Sequence, residues 1–352
     1  MIDRISRMTI RLGIVDLDSY PKAVKEVLFL MGMGRYWRRK AGDTNDWKDM
    51  LKRPPVSLGL NVTDVCNAKC VYCAYRFHKP EGVMDMAVYE KAVRDYAELG
   101  GGVLGLSNMT GDPLLDPHLV ERIEFAAQFK NISHIFFSTN GIGLKNKEMI
   151  DELFRLSSAK PIKIDISLPG FEKKMFERVY DVGDYEKVLE GMRYLLETNK
   201  KRGLPLDITL RLQPDRGGFF KDPDYINYIK PYISENNVLC SSRVENNWCG
   251  QIKQEHLTGQ MVLRRPVPDR FRDVPCRFLT IGNVDILVNG DVRVCGCTYG
   301  AEGKHDSLVI GNIMEKSLAE IWFGEGRRKI CEQFVKLELP GACKQCFMYD
   351  PY

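Results

Sequence analysis

Short apolar runs that alternate with amphipathic segments are the feature of this sequence that most restricts its fold. Between residues 56 and 244, six runs of strand composition are separated by five segments with apolar residues at helical spacing. Strands separated by helices in this way pair in parallel through right-handed crossovers. The pattern therefore predicts an α/β protein, and periodicity leaves open whether the strands form a doubly wound sheet or an incomplete barrel. The predicted strands span residues 56–61, 103–107, 134–138, 162–168, 206–213 and 238–244, and the predicted helices span residues 86–99, 117–129, 147–156, 185–200 and 224–235.

The pattern changes after residue 245, where a smaller α+β segment is predicted. Two apolar runs, residues 279–288 and 291–295, flank Asn289 and Gly290, and Asn-Gly between apolar strands is a strong hairpin signal. Helices are predicted after Ser317 and over residues 325–334. The 352 residues are enough for two domains. We predict an N-terminal extension over residues 1–53, the α/β domain over 54–255, and a connector with the C-terminal domain over 256–352.

Charge and hydropathy exclude several classes of partner. The chain has 51 basic and 47 acidic residues and a formal net charge of +4, which is too balanced for the basic surface that nucleic-acid binding requires. No apolar run reaches the length of a membrane span, and the N-terminus lacks the apolar stretch of a signal peptide. We therefore expect a cytoplasmic protein with neither a nucleic-acid nor a membrane partner.

Eleven cysteines indicate metal or redox chemistry, because a reducing compartment disfavours structural disulfides. Cys66, Cys70 and Cys73 form a C-x3-C-x2-C pattern directly after the first predicted strand. A closed zinc site requires four ligands, whereas a 4Fe-4S cluster held by three cysteines leaves one iron open for another ligand. The spacing predicts such an open cluster, with a zinc loop as the alternative.

This segment, with Tyr72 before its third cysteine, resembles the signature of the radical S-adenosylmethionine (SAM) superfamily. The resemblance implies a partial (βα)6 barrel of TIM type, which decides between the two sheet arrangements. It also implies that SAM binds the open iron and yields a 5′-deoxyadenosyl radical. An external one-electron donor of flavodoxin or ferredoxin type and a small-molecule or peptide substrate follow from the same resemblance.

Further segments resemble SAM-binding segments of the superfamily. Thr110-Gly111-Asp112-Pro113 is similar to the Gly-Gly-Glu-Pro loop that holds the SAM amino group, and it departs from that loop at Thr110 and Asp112. The shorter carboxylate shifts the expected contact toward backbone carbonyls. The resemblance implies SAM contacts by Tyr72, Thr110, Gly111, Asp112, Ser138, Asn140 and Ser167.

A second cysteine pattern lies in the C-terminal segment. Cys276 and Cys295 fit C-x13-G-x4-C, and Cys343 and Cys346 form a C-x2-C pair. Four thiolates close a metal site, so the spacing alone permits either a zinc ribbon or an iron-sulfur cluster. The pattern resembles the SPASM/twitch auxiliary domain, which implies a second 4Fe-4S cluster. Cys297 is a rival of Cys295, because the two lie on one strand face.

Three enzymatic hypotheses follow from the resemblance. The first is an oxidoreductase that removes hydrogen from a hydroxylated substrate of sugar or aminocyclitol type, with the auxiliary cluster accepting an electron. The second is an epimerase of a sugar or peptide, in which Cys249, just beyond the sixth strand, donates a hydrogen atom. The third is a maturase of ribosomal peptides. A non-enzymatic electron carrier is disfavoured, because an open iron and SAM-binding loops have no use in a carrier.

Overall fold

The computed structural model describes residues 47–106, 109–232, 237–240, 244–280, 282–297 and 306–350, with residues 237–240 as backbone. Nine of the strands in these ranges form one sheet in the order β11-β10-β9-β1-β2-β3-β4-β5-β6. Strands β1 to β6 are consecutive and parallel, so the predicted α/β class with a partial barrel is confirmed. The strands are β1 Ser57–Leu60, β2 Gly102–Gly105, β3 Ile132–Thr139, β4 Ile162–Leu168, β5 Leu206–Leu212, β6 Asn237–Cys240, β7 Val244–Glu245, β8 Val262–Leu263, β9 Asn283–Ile286, β10 Asp291–Arg293 and β11 Val309–Asn312.

Amphipathic helices connect the barrel strands and cover one side of the sheet. Their starts follow from local chemistry: the Asp85 carboxylate accepts a hydrogen bond from the Ala87 amide, and the Asn146 side chain caps Glu148 and Met149 in the same way. The α-helices are α1 Trp47–Met50, α2 Met86–Glu98, α3 Leu119–Ala127, α4 Lys147–Ser157, α5 Lys173–Tyr180, α6 Tyr185–Lys201, α7 Arg277–Thr280, α8 Leu318–Trp322, α9 Glu325–Val335 and α10 Gly341–Lys344.

Alternation along the central strands gives the sheet one apolar and one polar side. On β4, residues 162, 164, 166 and 168 are apolar and buried in the core that the helices share. Lys163, Asp165 and Ser167 alternate with them. Across to β5, Arg211 forms an ion pair with Asp165 at 3.5 Å, and Lys163 lies 3.8 Å from Asp207. The polar side therefore faces the barrel interior, where a ligand can bind.

Several predicted elements differ from the structure. Residues 173–180 form helix α5, which the pattern analysis did not predict. Residues 225–229 form a π-helical turn and residues 230–232 a 3₁₀ turn where one α-helix over 224–235 was expected, and residues 233–235 lie outside the described part of the chain. The predicted sixth strand is divided, because Val244 and Glu245 leave the barrel sheet and pair with β8. Residues 277–280 are helical rather than part of the strand predicted over 279–288.

The C-terminal hairpin extends the barrel sheet instead of forming a separate one. Strand β9 pairs in parallel with β1 and antiparallel with β10, which pairs with β11. Gly290 has φ +87 in the predicted Asn-Gly turn, a conformation that favours glycine. The hairpin places Cys276 and Cys295 on segments that flank the same two strands. The division at residue 255 remains a prediction, and most of residues 1–53 lie outside the described ranges.

Within the described ranges, no helix combines the length and the apolar character that a membrane span requires.

Candidate functional site

The three cysteines of the first pattern lie together in the loop after β1. Interactions among the Cys66, Cys70 and Cys73 thiols contribute to their pKa values, which requires that the sulfurs are close to one another. A turn closes between the last two, since the Cys73 amide donates to the Cys70 carbonyl at 3.0 Å. The Tyr75 hydroxyl donates to the Cys66 carbonyl at 3.0 Å. The three cysteines are therefore neighbours in one loop, and three is the number of thiolates that leaves one iron of a 4Fe-4S cluster open.

Helix α5 holds this loop in place. The Lys69 and Val71 amides donate to the carbonyls of Tyr180 and Val179, at 3.0 and 2.9 Å. These carbonyls belong to the last turn of α5, where backbone acceptors have no partner within the helix. The helix that sequence patterning missed thus anchors the cysteine loop to the fourth βα unit.

Burial makes these thiols poor acids in the absence of a cation. It raises the pKa of Cys66 to about 11 and that of Cys73 to about 12, and it raises the pKa of Cys70 as well. Iron binds thiolates, and the charge of the metal offsets the cost of burying them. The site therefore fits a bound cluster, because the cation would stabilise the three buried thiolates.

The loop after β2 connects the first and third strand ends. Gly111 has φ +92, and a Cβ there would lie 2.2 Å from the Thr63 carbonyl oxygen, so glycine is required. The Asp112 carboxylate accepts hydrogen bonds from the Asn140 amide at 2.8 Å and from the Thr139 hydroxyl at 2.9 Å. The Leu114 amide donates to the other oxygen, Oδ1, at 3.0 Å, so protein groups engage both Asp112 oxygens. Burial raises the pKa of this carboxyl. The SAM contact through backbone carbonyls of this loop stays a prediction.

An Asp112→Asn substitution tests this connection. One acceptor oxygen would become an NH2 group facing the Thr139 hydroxyl or the Asn140 amide, both of which donate to Asp112. We expect the free energy of unfolding to fall by about 1–2 kcal/mol, measured by urea unfolding, with weaker SAM binding by calorimetry. An unchanged SAM affinity would contradict the role of this connection in shaping the cofactor site.

The other predicted SAM contacts are distributed over β3 and β4. The Asn140 side-chain amide donates to Asn67 at 2.7 Å and to the Cys66 sulfur at 3.5 Å, so it lies directly at the cysteine loop. Ser138 is opposite Asp165 in the sheet register. Ser167 is half-buried on the polar side of β4, and its carbonyl accepts a hydrogen bond from Tyr180.

Buried polar atoms without partners mark the space in front of these loops. Among the described residues, such side chains include Asn61, Thr110, Asp165 and Glu245. Asn61 follows β1 and lacks a partner for both amide atoms, and the Thr110 hydroxyl lies in the predicted SAM-binding loop. Unsatisfied buried groups cost free energy unless a ligand or water pairs with them. Amide, hydroxyl and carboxylate groups fit the polar parts of SAM or of a hydroxylated substrate.

Glu245 is the functional candidate that sequence reasoning missed most clearly. Its side chain is 6% exposed, its Oε1 atom has no hydrogen-bond partner, and its charge acts on Tyr72 in the first cysteine loop. Burial raises the pKa of Glu245 to about 7. A carboxyl with this pKa can accept or donate a proton near neutral pH. The one sequence signal was weak: Glu245 directly follows the predicted sixth strand, residues 238–244, and barrel enzymes place functional groups after their strands.

The second cysteine group surrounds an apolar cavity beside the C-terminal hairpin. Five cysteines line this cavity, together with aromatic side chains that include Phe334 and Tyr349: Cys276, Cys295, Cys297, Cys343 and Cys346. The four predicted ligands and the rival Cys297 are therefore all brought together. The aromatic and aliphatic walls would shield a cluster from water.

Backbone amides favour three of these sulfurs as ligands. The Cys295 sulfur accepts a hydrogen bond from the Cys297 amide at 3.3 Å, and the Cys346 sulfur accepts one from the Met348 amide at 3.2 Å. The Asp350 amide lies 3.5 Å from the Cys276 sulfur. Such bonds stabilise thiolates and set the reduction potential of a cluster. Cys295 has this support, and it is more buried than Cys297.

Cys249 is 7% exposed and packs in the same apolar cluster as the auxiliary cysteines. Its role as a hydrogen-atom donor stays a prediction. Trp248 and Cys249 have positive φ, and the sequence gave no indication of this turn.

Comparison with known families agrees with this geometry. The Radical SAM superfamily model matches residues 60–210, and a model described as an iron-sulfur cluster-binding domain, SPASM, matches residues 276–347. These two matches confirm the prediction of a radical SAM enzyme with a C-terminal SPASM domain. SAM and 4Fe-4S clusters are implied by these two domains.

Proteins of similar sequence do not identify the substrate, because their identity to this chain is low. The chain is 22% identical over 252 residues to GTP 3′,8-cyclase of Haemophilus ducreyi, covering 70% of each protein. It is 26% identical to the probable GTP 3′,8-cyclase of Methanocaldococcus jannaschii, covering 53% of this chain and 62% of that one.

Solved structures share the fold. BtrN in complex with AdoMet and 2-DOIA has a TM-score of 0.54 at 17% identity, covering 84% of this chain and 93% of BtrN. Streptococcus suis SuiB bound to precursor peptide SuiA has a TM-score of 0.55 at 15% identity, covering 77% of this chain and 65% of SuiB.

Proposed function

We propose that this protein is a radical SAM oxidoreductase that oxidises a small hydroxylated substrate of sugar or aminocyclitol type. The observation that carries the proposal is the pair of separate cysteine sites: a three-cysteine loop at the barrel mouth and a second site where more than four cysteines meet. Three ligands leave an iron open to SAM, whereas four close a cluster that can only exchange electrons. An open and a closed cluster together suit hydrogen abstraction followed by electron removal.

The first site would hold SAM at its open iron. When bound there, SAM supplies the 5′-deoxyadenosyl radical that removes a hydrogen atom from the substrate. Thr110 and Gly111 offer a hydroxyl and backbone groups to the SAM ammonium, and Asn140 lies beside Cys66 at the same loop. Tyr72, Asp112, Ser138 and Ser167 complete the proposed contact set.

The second site would hold a closed 4Fe-4S cluster on Cys276, Cys295, Cys343 and Cys346. Arg272 supports this arrangement by donating to the Cys343 carbonyl at 2.8 Å, and Arg293 donates to the Cys295 carbonyl. Cys297 then remains a thiol beside the cluster. An external flavodoxin or ferredoxin would supply and remove single electrons.

Glu245 is proposed as the residue that accepts the hydroxyl proton during oxidation. Conversion of an alcohol to a carbonyl removes one hydrogen atom from carbon, one proton from oxygen and one electron. The hydrogen atom would go to the deoxyadenosyl group that SAM supplies, the electron to the auxiliary cluster and the proton to the Glu245 carboxylate. Its burial, its unpartnered oxygen and its position near Tyr72 support this assignment.

The test is an anaerobic reaction with SAM, a strong reductant and a panel of sugars and aminocyclitols. GTP belongs in the panel because similar proteins are named GTP 3′,8-cyclases. We expect one carbonyl product for each 5′-deoxyadenosine formed, and about eight irons per chain. Turnover of GTP alone, or about four irons with bound zinc, would contradict the proposal.

The two other enzymatic hypotheses have less support. An epimerase requires a hydrogen donor facing the substrate, whereas the Cys249 thiol is buried against Cys346. A peptide maturase finds a parallel in SuiB, which binds a precursor peptide, but a likeness at 15% identity concerns the fold alone. The polar barrel interior around Asp165 and Arg211 suits a hydroxylated or charged small molecule.

A further inference from the structure

One short segment contacts both cysteine sites. Residues 246–250 follow β7, and their side chains form hydrogen bonds in two directions. Toward the first site, the Trp248 indole N–H donates to the Tyr72 carbonyl at 2.9 Å. Tyr72 lies between Cys70 and Cys73, so this bond is made to the cysteine loop itself. We call residues 246–250 the connecting segment.

Toward the second site, the connecting segment holds the loops that carry auxiliary cysteines. The Asn247 side chain donates to the Gln345 carbonyl at 2.6 Å and accepts from the Phe347 amide at 3.1 Å, so it binds both neighbours of Cys346. The Asn246 side chain donates to the Cys297 carbonyl at 2.9 Å. These bonds fix two separate auxiliary loops to one turn of the chain.

The turn adopts a backbone conformation that non-glycine residues rarely use. Trp248 has φ +46 and Cys249 has φ +56, and Gly250 continues with φ +92. Left-handed conformations cost free energy for residues with a Cβ, and they persist only where surrounding contacts enforce them. The conformation directs the Trp248 ring toward the first site and the Cys249 thiol toward the second.

Cys249 lies beside Cys346, a proposed ligand of the auxiliary cluster, and is not itself one of the four proposed ligands. Five other cysteines line the cavity and Cys249 does not, but Cys249 is buried in the same apolar cluster as Cys346. The side chain of the neighbouring Asn247 binds the residues on either side of Cys346. A hydrogen bond to a ligating sulfur withdraws charge from it and favours the reduced cluster. Removing the donor therefore favours the oxidised cluster.

We propose that the connecting segment couples the two cluster sites: the Cys249 thiol donates a hydrogen bond to the neighbouring Cys346 sulfur and so tunes the auxiliary cluster, and Trp248 holds the first cysteine loop. The inference rests on the proposed auxiliary cluster. It adds positioning residues that lie outside the matched iron-sulfur domain, residues 276–347.

The first experiment measures the midpoint potential of the auxiliary cluster by redox titration followed by electron paramagnetic resonance. A background with Cys66, Cys70 and Cys73 replaced by Ala removes the first cluster from the signal. Cys249→Ala and Cys249→Gly remove the donor, and glycine suits the positive φ, so at least this variant should fold. We expect a more negative potential in both, and a potential close to that of the parent in Cys249→Ser.

The matched control is Cys331→Ala, since Cys331 is a buried cysteine of the same apolar cluster that does not line the cavity. Its potential should equal that of the parent. An unchanged potential in the Cys249 variants would overturn the inference, and so would loss of iron from them, which would make Cys249 a ligand. A parent without any iron would instead refute the auxiliary cluster and with it the proposed function.

The second experiment tests the coupling through Trp248→Phe in the enzyme with both clusters. Phenylalanine keeps an aromatic ring and removes the indole N–H that bonds to Tyr72. Because the segment also holds residues 345–347, we expect faster amide hydrogen exchange in residues 70–73 and in residues 345–347. Faster exchange in only one loop, or in neither, would overturn the coupling.

Discussion

Replacing Cys66, Cys70 and Cys73 together by Ala is expected to reduce 5′-deoxyadenosine formation to the background without enzyme. The three thiols are the ligands we propose for the cluster with an open iron, and without it SAM has no site at which to accept an electron. Iron should fall from about eight to about four per chain, because the auxiliary cysteines are intact. Deoxyadenosine is measured by chromatography after anaerobic reaction with a strong reductant.

The result is interpretable because a matched control exists. Cys331 is fully buried in α9, where its replacement by Ala removes a thiol without touching either proposed cluster. Cys331→Ala should keep all irons and normal deoxyadenosine formation. Deoxyadenosine formation by the triple variant at the rate of the parent would disprove the role of the first loop.

The fold could be predicted from sequence where local pattern and tertiary environment agree. Strand β4 spans the predicted residues, 162–168, because its apolar and polar residues alternate and one side packs on helices. Helix α5 was missed because its eight residues, 173–180, include Lys173, Lys174 and Glu177, which weaken the apolar pattern in a short window. Helix α5 anchors the cysteine loop through hydrogen bonds from the Lys69 and Val71 amides. The sequence of α5 alone does not indicate these bonds.

The candidate site could be predicted to the extent that its residues are adjacent in sequence. The C-x3-C-x2-C loop could be predicted in this way. The place of Cys249 in the fold could not, because it depends on residues far away in the sequence. A turn with positive φ at Trp248 and Cys249, which are not glycines, carries no sequence signal, so the chain reversal that brings Cys249 to Cys346 was not foreseeable. Cys346 lies 97 residues further along the chain.

The burial of Glu245 could not be predicted from the sequence for a related reason. An acidic residue after a strand usually faces solvent, and only the tertiary structure shows that this carboxyl is buried without a hydrogen-bond partner for Oε1. Buried groups of this kind are uncommon in structural positions and frequent in functional sites. The carboxyl should therefore leave a measurable signature in the stability of the protein.

We expect the free energy of unfolding to decrease as the pH rises through 7, and Glu245→Gln to remove this decrease. Burial raises the pKa of Glu245 from 4.5 to about 7, so the folded state binds the proton more tightly than the unfolded chain does. The stabilisation is complete below pH 4.5 and is lost as the pH rises through 7. The full effect is about 3 kcal/mol as an upper bound, and urea unfolding of the cluster-free protein at pH 5 and pH 8 measures it.

The difference between wild type and Glu245→Gln isolates this carboxyl from the others. Burial also raises the pKa of Asp112 and Asp165, but both residues remain in the variant and their contributions cancel in the comparison. Glu255→Gln is the control, because that side chain is 73% exposed and should leave the pH dependence unchanged. If Glu245→Gln loses stability between pH 5 and pH 8 as steeply as wild type, Glu245 titrates as an ordinary surface carboxyl. Its proposed role as proton acceptor would then have no electrostatic basis, since a carboxyl with a normal pKa holds an accepted proton too weakly near neutral pH.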